Sequence, residues 1–264
     1  MLTAADFPVT PQTMELILEV LKENYFSRPQ SVKNEVVYVA GQPASVKSTV
    51  IESIRRGHAV LDSDEIRKLH PAHEEIMRRD PLRMDVLTNG PVPFWMSSLI
   101  GYARENGHSL IIENTLSDPD FVASEIEKFR AAGFGVRIVA LAVAQEVSRL
   151  GIVQRFRAAQ RTSKVPRWTN EVSHTNGYRA IVPGLRSLEG RVDSLEIRTR
   201  DGRILDGIDD IDRERREWCD VDAVREKWLA DFDALDLTGV EGETLTQNLI
   251  ADAQRLRDYA GAHD

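Results

Sequence analysis

At 264 residues, with 42% hydrophobic and 29% charged side chains, the chain carries enough apolar content to bury one sizeable core, which excludes a disordered or fibrous protein. A formal charge of −8 and a pI near 5.4 argue against general affinity for nucleic acid or an anionic membrane. One cysteine, Cys219, rules out an intramolecular disulfide and suits a reducing compartment; it is expected to be an inert thiol on a helix.

The first twenty residues lack a basic region followed by a continuous apolar stretch, so no signal peptide is expected and the protein is expected in the cytoplasm. Met14, Ile17, Leu18, Leu21 and Tyr25 recur at three- and four-residue spacings and predict an amphipathic helix over 11–25, opened by Thr10 and Pro11. The run EVVYVAG over 35–41 is short, β-branched and closed by glycine, as in a buried parallel strand. Further strands are predicted over 58–64, 108–114 and 135–143, separated by helical patterns near 93–106 and 118–132. No apolar run approaches the length needed to cross a bilayer.

After residue 144 a long helix to about 161 leads into the polar loop TSKVPRWTN, and LEIRTRDGRIL carries a hairpin signal at Asp201-Gly202 that is expected to close the sheet. From 209 the chain is strongly charged, with Trp218, Val221, Val224 and Trp228 spaced for one buried helix face, then a last helix over 245–260. The β-α-β-α alternation predicts an α/β fold: a parallel sheet with helices on both faces, plus a helical C-terminal extension. The expected organisation is an N-terminal helix over 1–34, an α/β core over 35–206 and an extension over 207–264. Chemistry should then collect at the carboxyl ends of the strands.

Between the first strand and the following helix lie Gly41, Gln42, Pro43, Ala44, Ser45, Val46, Lys47, Ser48 and Thr49, in the context that a nucleotide phosphate-binding loop requires. Such a loop aims backbone N–H groups at the phosphates of ATP or GTP; Lys47 would neutralise their β and γ oxygens and the Ser48 hydroxyl would ligate Mg²⁺. Val46 stands where glycine is expected before the lysine, and a β-branched residue tolerates positive φ poorly, so the cradle is expected to be distorted or partly occluded. At the end of the second strand, Asp62 and Asp64 are candidates for the general base or for facing a phosphate, with Ser63 or Asp64 as the helix cap. Glu113 and Thr115 close the third strand as candidate substrate-binding groups. Arg155, Arg157, Arg161, Lys164 and Arg167 form a basic stretch suited to a transferring phosphoryl group, and helical spacing lets at most one of Arg155 and Arg157 face it.

The order GQPxxxKST, LDSDEIRKLHP, LIIENT, then Gly151-x-x-x-Arg155 and a loop arginine, resembles the zeta toxin family of bacterial toxin–antitoxin systems, from about 36 to 205. The resemblance implies a P-loop kinase that phosphorylates the 3′-hydroxyl of UDP-N-acetylglucosamine and is held inactive by an antitoxin protein. It assigns Lys47 and Ser48 to the phosphates and Mg²⁺, Asp64 to the catalytic base, Arg155 and Arg167 to the transferring phosphate, and Glu113 and Thr115 to the sugar nucleotide. His174 falls on a further histidine of the pattern, its role open. The chain departs from the pattern at Ala44 and Val46, two loop glycines, and at Ser97 and Ser117, where a substrate-binding glutamate and arginine are expected. Two alternatives stand beside a kinase: a catalytically impaired nucleotide- or partner-binding protein on the same fold, and an enzyme whose terminal segments occupy its own site.

Overall fold

The computed structural model describes residues 2–27, 34–162 and 165–261. Helix α1 (Pro11–Phe26) starts where Thr10 accepts a hydrogen bond from the Thr13 N–H at 3.2 Å and Pro11 presets the first turn. Strand β1 (Glu35–Ala40) runs into α2 (Lys47–Ile54) and then β2 (Ala59–Leu61). Four helices follow, α3 (Ser63–Arg67), α4 (His73–Arg79), α5 (Met84–Leu87) and α6 (Val92–Glu105), before β3 (Leu110–Asn114). Helix α7 (Pro119–Ala131), β4 (Gly135–Ala142), α8 (Gln145–Gln160), α9 (Glu171–Leu188), β5 (Ser194–Thr199) and β6 (Ile204–Leu205) complete the sheet. Helices α10 (Asp210–Glu217), α11 (Asp222–Asp233) and α12 (Thr244–Gly261) end the chain.

The strands lie in the order β2-β3-β1-β4-β5-β6, parallel except for the final β5–β6 hairpin. Strand side chains alternate between faces, and the two faces of β1 belong to two different cores. Val36, Tyr38 and Ala40 pack with residues of α1, α6, α7 and α9, whereas Val37 and Val39 pack with Val50 and Ile51 of α2. Burial on both faces is why the strands read as unbroken apolar runs. β1 sits between β3 and β4: the chain goes from β1 out to β2, returns to β3 and then crosses over β1 to β4, and this reversal of strand order opens a crevice at the carboxyl end of β1.

The extension packs on α8. Leu245, Leu249, Ala253 and Leu256 of α12 join Leu150, Val153 and Phe156 in a third apolar cluster. Arg149 on α8 pairs with Asp252 of α12 at 2.8 Å and with Glu171 of α9 at 2.7 Å. Among the described residues no helix is long and apolar enough to cross a membrane.

Three sequence expectations change. The second strand stops at Leu61 because Asp62 turns the chain, its carboxylate accepting from the Asp64 N–H at 2.9 Å, so Asp62 is the cap of α3 rather than Ser63 or Asp64. Trp218, Val221, Val224 and Trp228 do not share a buried helix face. The helix breaks between α10 and α11; Trp228 is buried, but Val221 is 58% exposed and Val224 45%. Cys219 lies in that break and not on a helix; it is half-buried, and desolvation raises its thiol pKa.

Candidate active site

The loop between β1 and α2 keeps the backbone of a phosphate cradle at a conformational cost. Val46 has φ 66° and ψ 27°, and Ala44 has φ 61°, both left-handed. An L-residue there costs roughly 1–2 kcal/mol relative to glycine. The expected distortion is therefore absorbed as strain while the turn itself is kept, with the Val46 side chain lining the cleft. Two glycines make room for the loop. A Cβ on Gly151 of α8 would come within 3.3 Å of the Ala44 Cβ, and one on Gly177 of α9 within 3.2 Å of Pro43 Cδ.

Gln42 is fully buried and turns its side chain away from the cleft, donating from Nε2 to the Val143 carbonyl at 2.7 Å. The same nitrogen reaches the Ser148 hydroxyl at 3.3 Å, and that hydroxyl meets His174 Nε2 at 2.8 Å. His174 is fully buried; desolvation holds its pKa down at about 4, so the ring is neutral at pH 7. The sequence marks His174 without a role and does not point to Ser148. The available signal was a pair of polar side chains on otherwise apolar helix faces.

Lys47 is buried, and its Nζ donates to the carbonyls of Gly41 at 2.7 Å and Gln42 at 3.0 Å. Glu113 of β3 approaches the same nitrogen at 3.4 Å. Desolvation lowers the Lys47 pKa and raises that of Glu113, each opposed by the charge of the other. The ammonium is thus pre-positioned between β1 and β3 and bonded to acceptors that an incoming phosphate would supplant.

On the other flank, Arg167 forms an ion pair with Asp64, and Arg67 Nε stands 3.9 Å from that carboxylate. Arg155 projects from α8 into the cleft and donates to the Thr169 hydroxyl at 3.3 Å. The Nε atoms of Arg155 and Arg167 are buried without a partner. Desolvation lowers both guanidinium pKa values. Arg157 points elsewhere, donating to the carbonyls of Asp236 and Thr238 at 2.5 Å, as helical spacing required for one of the pair. Lys164 lies outside the described residues.

These side chains border two clefts that meet at Lys47. One, of about 350 Å³, is lined by loop residues 44–48, Glu113, Gly151 and Arg155; the other, of about 260 Å³, by Pro43, Asp62, Asp64, Thr115, Arg155 and Arg167. No residue of 1–34 or 207–264 lines either, so among the described residues neither terminal segment occupies the site. The exposed Ser48 hydroxyl and the Glu113 carboxylate are hard oxygen donors on one cleft wall. Among the described residues no group of three or more His, Cys, Asp and Glu could hold a metal alone. That donor set fits an ion such as Mg²⁺, which takes one or two protein oxygens and completes its shell with phosphates and water.

The family model described as Zeta toxin matches residues 19–207. The chain belongs to the zeta toxin family.

Three solved structures of low sequence identity share the fold of this zeta toxin. One, from work on the PezAT chromosomal toxin–antitoxin system of Streptococcus pneumoniae, has a TM-score of 0.63 at 17% identity over 96% of this chain and 98% of that one. A second, from the AvrRxo1-ORF1:-ORF2 complex, has a TM-score of 0.58 at 12% identity over 94% and 95%. A structure of that pair with ATP has a TM-score of 0.50 at 12% identity over 75% and 72%. No curated protein matches this chain by sequence.

Within this zeta toxin fold the two departures on the substrate side have distinct structural consequences. Ser97 is exposed on α6 and bonds back to the Phe94 carbonyl at 3.1 Å, leaving Met96 to line the cleft. Ser117 instead meets the Thr115 hydroxyl at 2.7 Å, so that Thr115 is oriented by a neighbour rather than flanked by a cation.

Proposed function

We propose that this chain is a small-molecule kinase that moves the γ-phosphoryl group of ATP or GTP to a hydroxyl of a sugar nucleotide such as UDP-N-acetylglucosamine. The observation that carries the reading is the convergence of Lys47, Asp64, Arg155 and Arg167 on two adjoining clefts. The acceptor hydroxyl gives its proton to the Asp64 carboxylate while its oxygen bonds to the γ-phosphorus. The bond from that phosphorus to the β–γ bridging oxygen breaks, and the nucleoside diphosphate leaves.

Lys47 and the N–H groups of residues 44–48 hold the β- and γ-phosphates, and Arg155 and Arg167 meet the charge spread over the phosphoryl oxygens in flight. The Ser48 hydroxyl would hold Mg²⁺, which when bound neutralises charge across those phosphates. Thr115, Glu113 and Asp62, which line the smaller cleft, are the side chains proposed to hold the acceptor. With no arginine at 117, the chain lacks one charge-assisted contact of about 1.5–3 kcal/mol to an acceptor phosphate, which favours an acceptor bound through its hydroxyls. The proposed protein partner is an antitoxin, on the strength of the family.

A second reading, a catalytically impaired nucleotide- or partner-binding protein, draws on the left-handed Val46. Nucleotide consumption with Mg-ATP, with and without UDP-N-acetylglucosamine, separates the two. Sugar-dependent turnover that disappears in Lys47→Ala supports the kinase. Turnover in Val46→Gly but not in the parent supports the impaired protein.

A further inference from the structure

Beside the phosphate loop lies a cavity of about 650 Å³, within the size range of small-molecule sites, that the mechanism above leaves unused. Its floor is the end of β4 and the start of α8, and the β5–β6 turn closes one side. The opposite wall is built by α10, α11 and the break between them, with Trp218, Val221, Val224 and Trp228. Trp228 is fixed in place: its indole N–H donates to the Glu146 carbonyl at 3.3 Å and its ring stacks on Phe232 with centroids 5.8 Å apart. The two valines exposed by the helix break therefore face a concave apolar surface.

This cavity is contiguous with the phosphate cleft, because Gln154 and Arg200 line both. A ligand whose phosphates rest on residues 44–48 has its opposite end directed past those two side chains. We infer that the cavity receives the base and ribose of the nucleotide, so that the C-terminal extension, beyond the family match that ends at residue 207, completes the nucleotide site and sets which base is accepted. The inference rests on the nucleotide-dependent reading of the phosphate loop. Apolar and aromatic walls suit the faces of a base, the charged rim of Lys227, Asp231 and Glu217 suits its polar edges, and Arg200 stands at the junction of base and phosphates.

The test is calorimetric titration of the full chain at constant Mg²⁺ with two probes, ADP and inorganic pyrophosphate, which share a diphosphate and differ in the nucleoside. The parent is expected to bind ADP at least about tenfold more tightly than pyrophosphate, the size of one base–aromatic contact. Val224→Trp, which fills the cavity from a half-exposed position, is expected to erase that difference and leave pyrophosphate unchanged. Trp218→Ala, which removes part of the wall, is expected to reduce it. Pyrophosphate binding with no gain from the nucleoside, or a folded Val224→Trp that keeps the full ADP preference, overturns the inference and leaves the phosphate site standing. If neither probe binds, the kinase reading fails and the inference falls with it. Capture of a protein partner that is lost in Val224→Trp while ADP binding is untouched assigns the cavity to that partner instead.

Discussion

Arg167 holds Asp64 in an ion pair across the smaller cleft, so the carboxylate proposed to receive a proton is engaged by a cation proposed to meet the transferring phosphoryl group. Transfer of Arg167 to the phosphates would free Asp64 as the substrates assemble, and the buried, unpartnered Nε of Arg167 leaves donor capacity for that step. Asp64→Asn is expected to lower the transfer rate by about 10²–10⁴-fold, the usual contribution of a positioned base, with nucleotide affinity unchanged. Single-turnover kinetics beside calorimetry reads both quantities; equal loss of rate and affinity would assign Asp64 to nucleotide binding.

Val46→Gly should relieve the left-handed strain at φ 66° while adding flexibility to the unfolded chain. The opposing terms leave a net gain of roughly 0.5–1 kcal/mol. Urea unfolding is expected to show a higher midpoint with an unchanged slope, and ADP affinity should rise because the backbone meets the phosphates without a side chain at the rim. A lower midpoint would mean that the valine contributes more by packing than its backbone costs.

The neutral, buried His174 links acid stability to the loop. Its pKa falls from an ordinary 6.5 to about 4 on folding, so between those values the unfolded chain binds the extra proton and stability drops as pH drops. The contribution is intact above pH 6.5 and gone below about 4, with an upper bound of roughly 3 kcal/mol. His174→Gln, which can keep a bond to Ser148 without titrating, is expected to flatten the melting temperature over that window. An unchanged pH slope would place the acid sensitivity in the carboxylates.

The Arg149–Asp252 pair predicts that the extension is structural and not an inhibitor. Arg149→Ala leaves the buried Asp252 with Arg255, at 3.0 Å, as its remaining cation and the half-buried Glu171 with the Thr175 hydroxyl, and should cost at most about 3–5 kcal/mol. Deleting 208–264 uncovers Leu150, Val153 and Phe156 and is expected to give a less soluble, less cooperative protein, read by thermal denaturation. A truncated chain that melts as before with higher activity would restore the inhibitory role.

Much of the core, and the grouping of side chains in the candidate site, was legible because the signals are local. A buried parallel strand needs a continuous apolar run, a phosphate turn needs Lys47 and Ser48 at the start of a helix, and carboxylates at strand ends fall on one edge once the strands are parallel. Helical spacing alone separated Arg155 from Arg157. Ser148 was not legible, because its partner His174 lies across two helices and a polar residue on an apolar face does not name what it bonds.

The α/β alternation and the set of residue types brought to the strand ends are encoded locally, since both follow from periodicity and the geometry of one or two adjacent elements. Long-range packing, by contrast, makes Val46 take the glycine conformation rather than avoid it, because the surroundings over-determine the turn. It alone decided that Asp62 caps while Asp64 pairs with Arg167, and that the break between α10 and α11 turns Trp218, Val221 and Val224 towards a cavity. Those outcomes depend on which distant surfaces meet, and a spacing along the chain carries no record of the partner it will face.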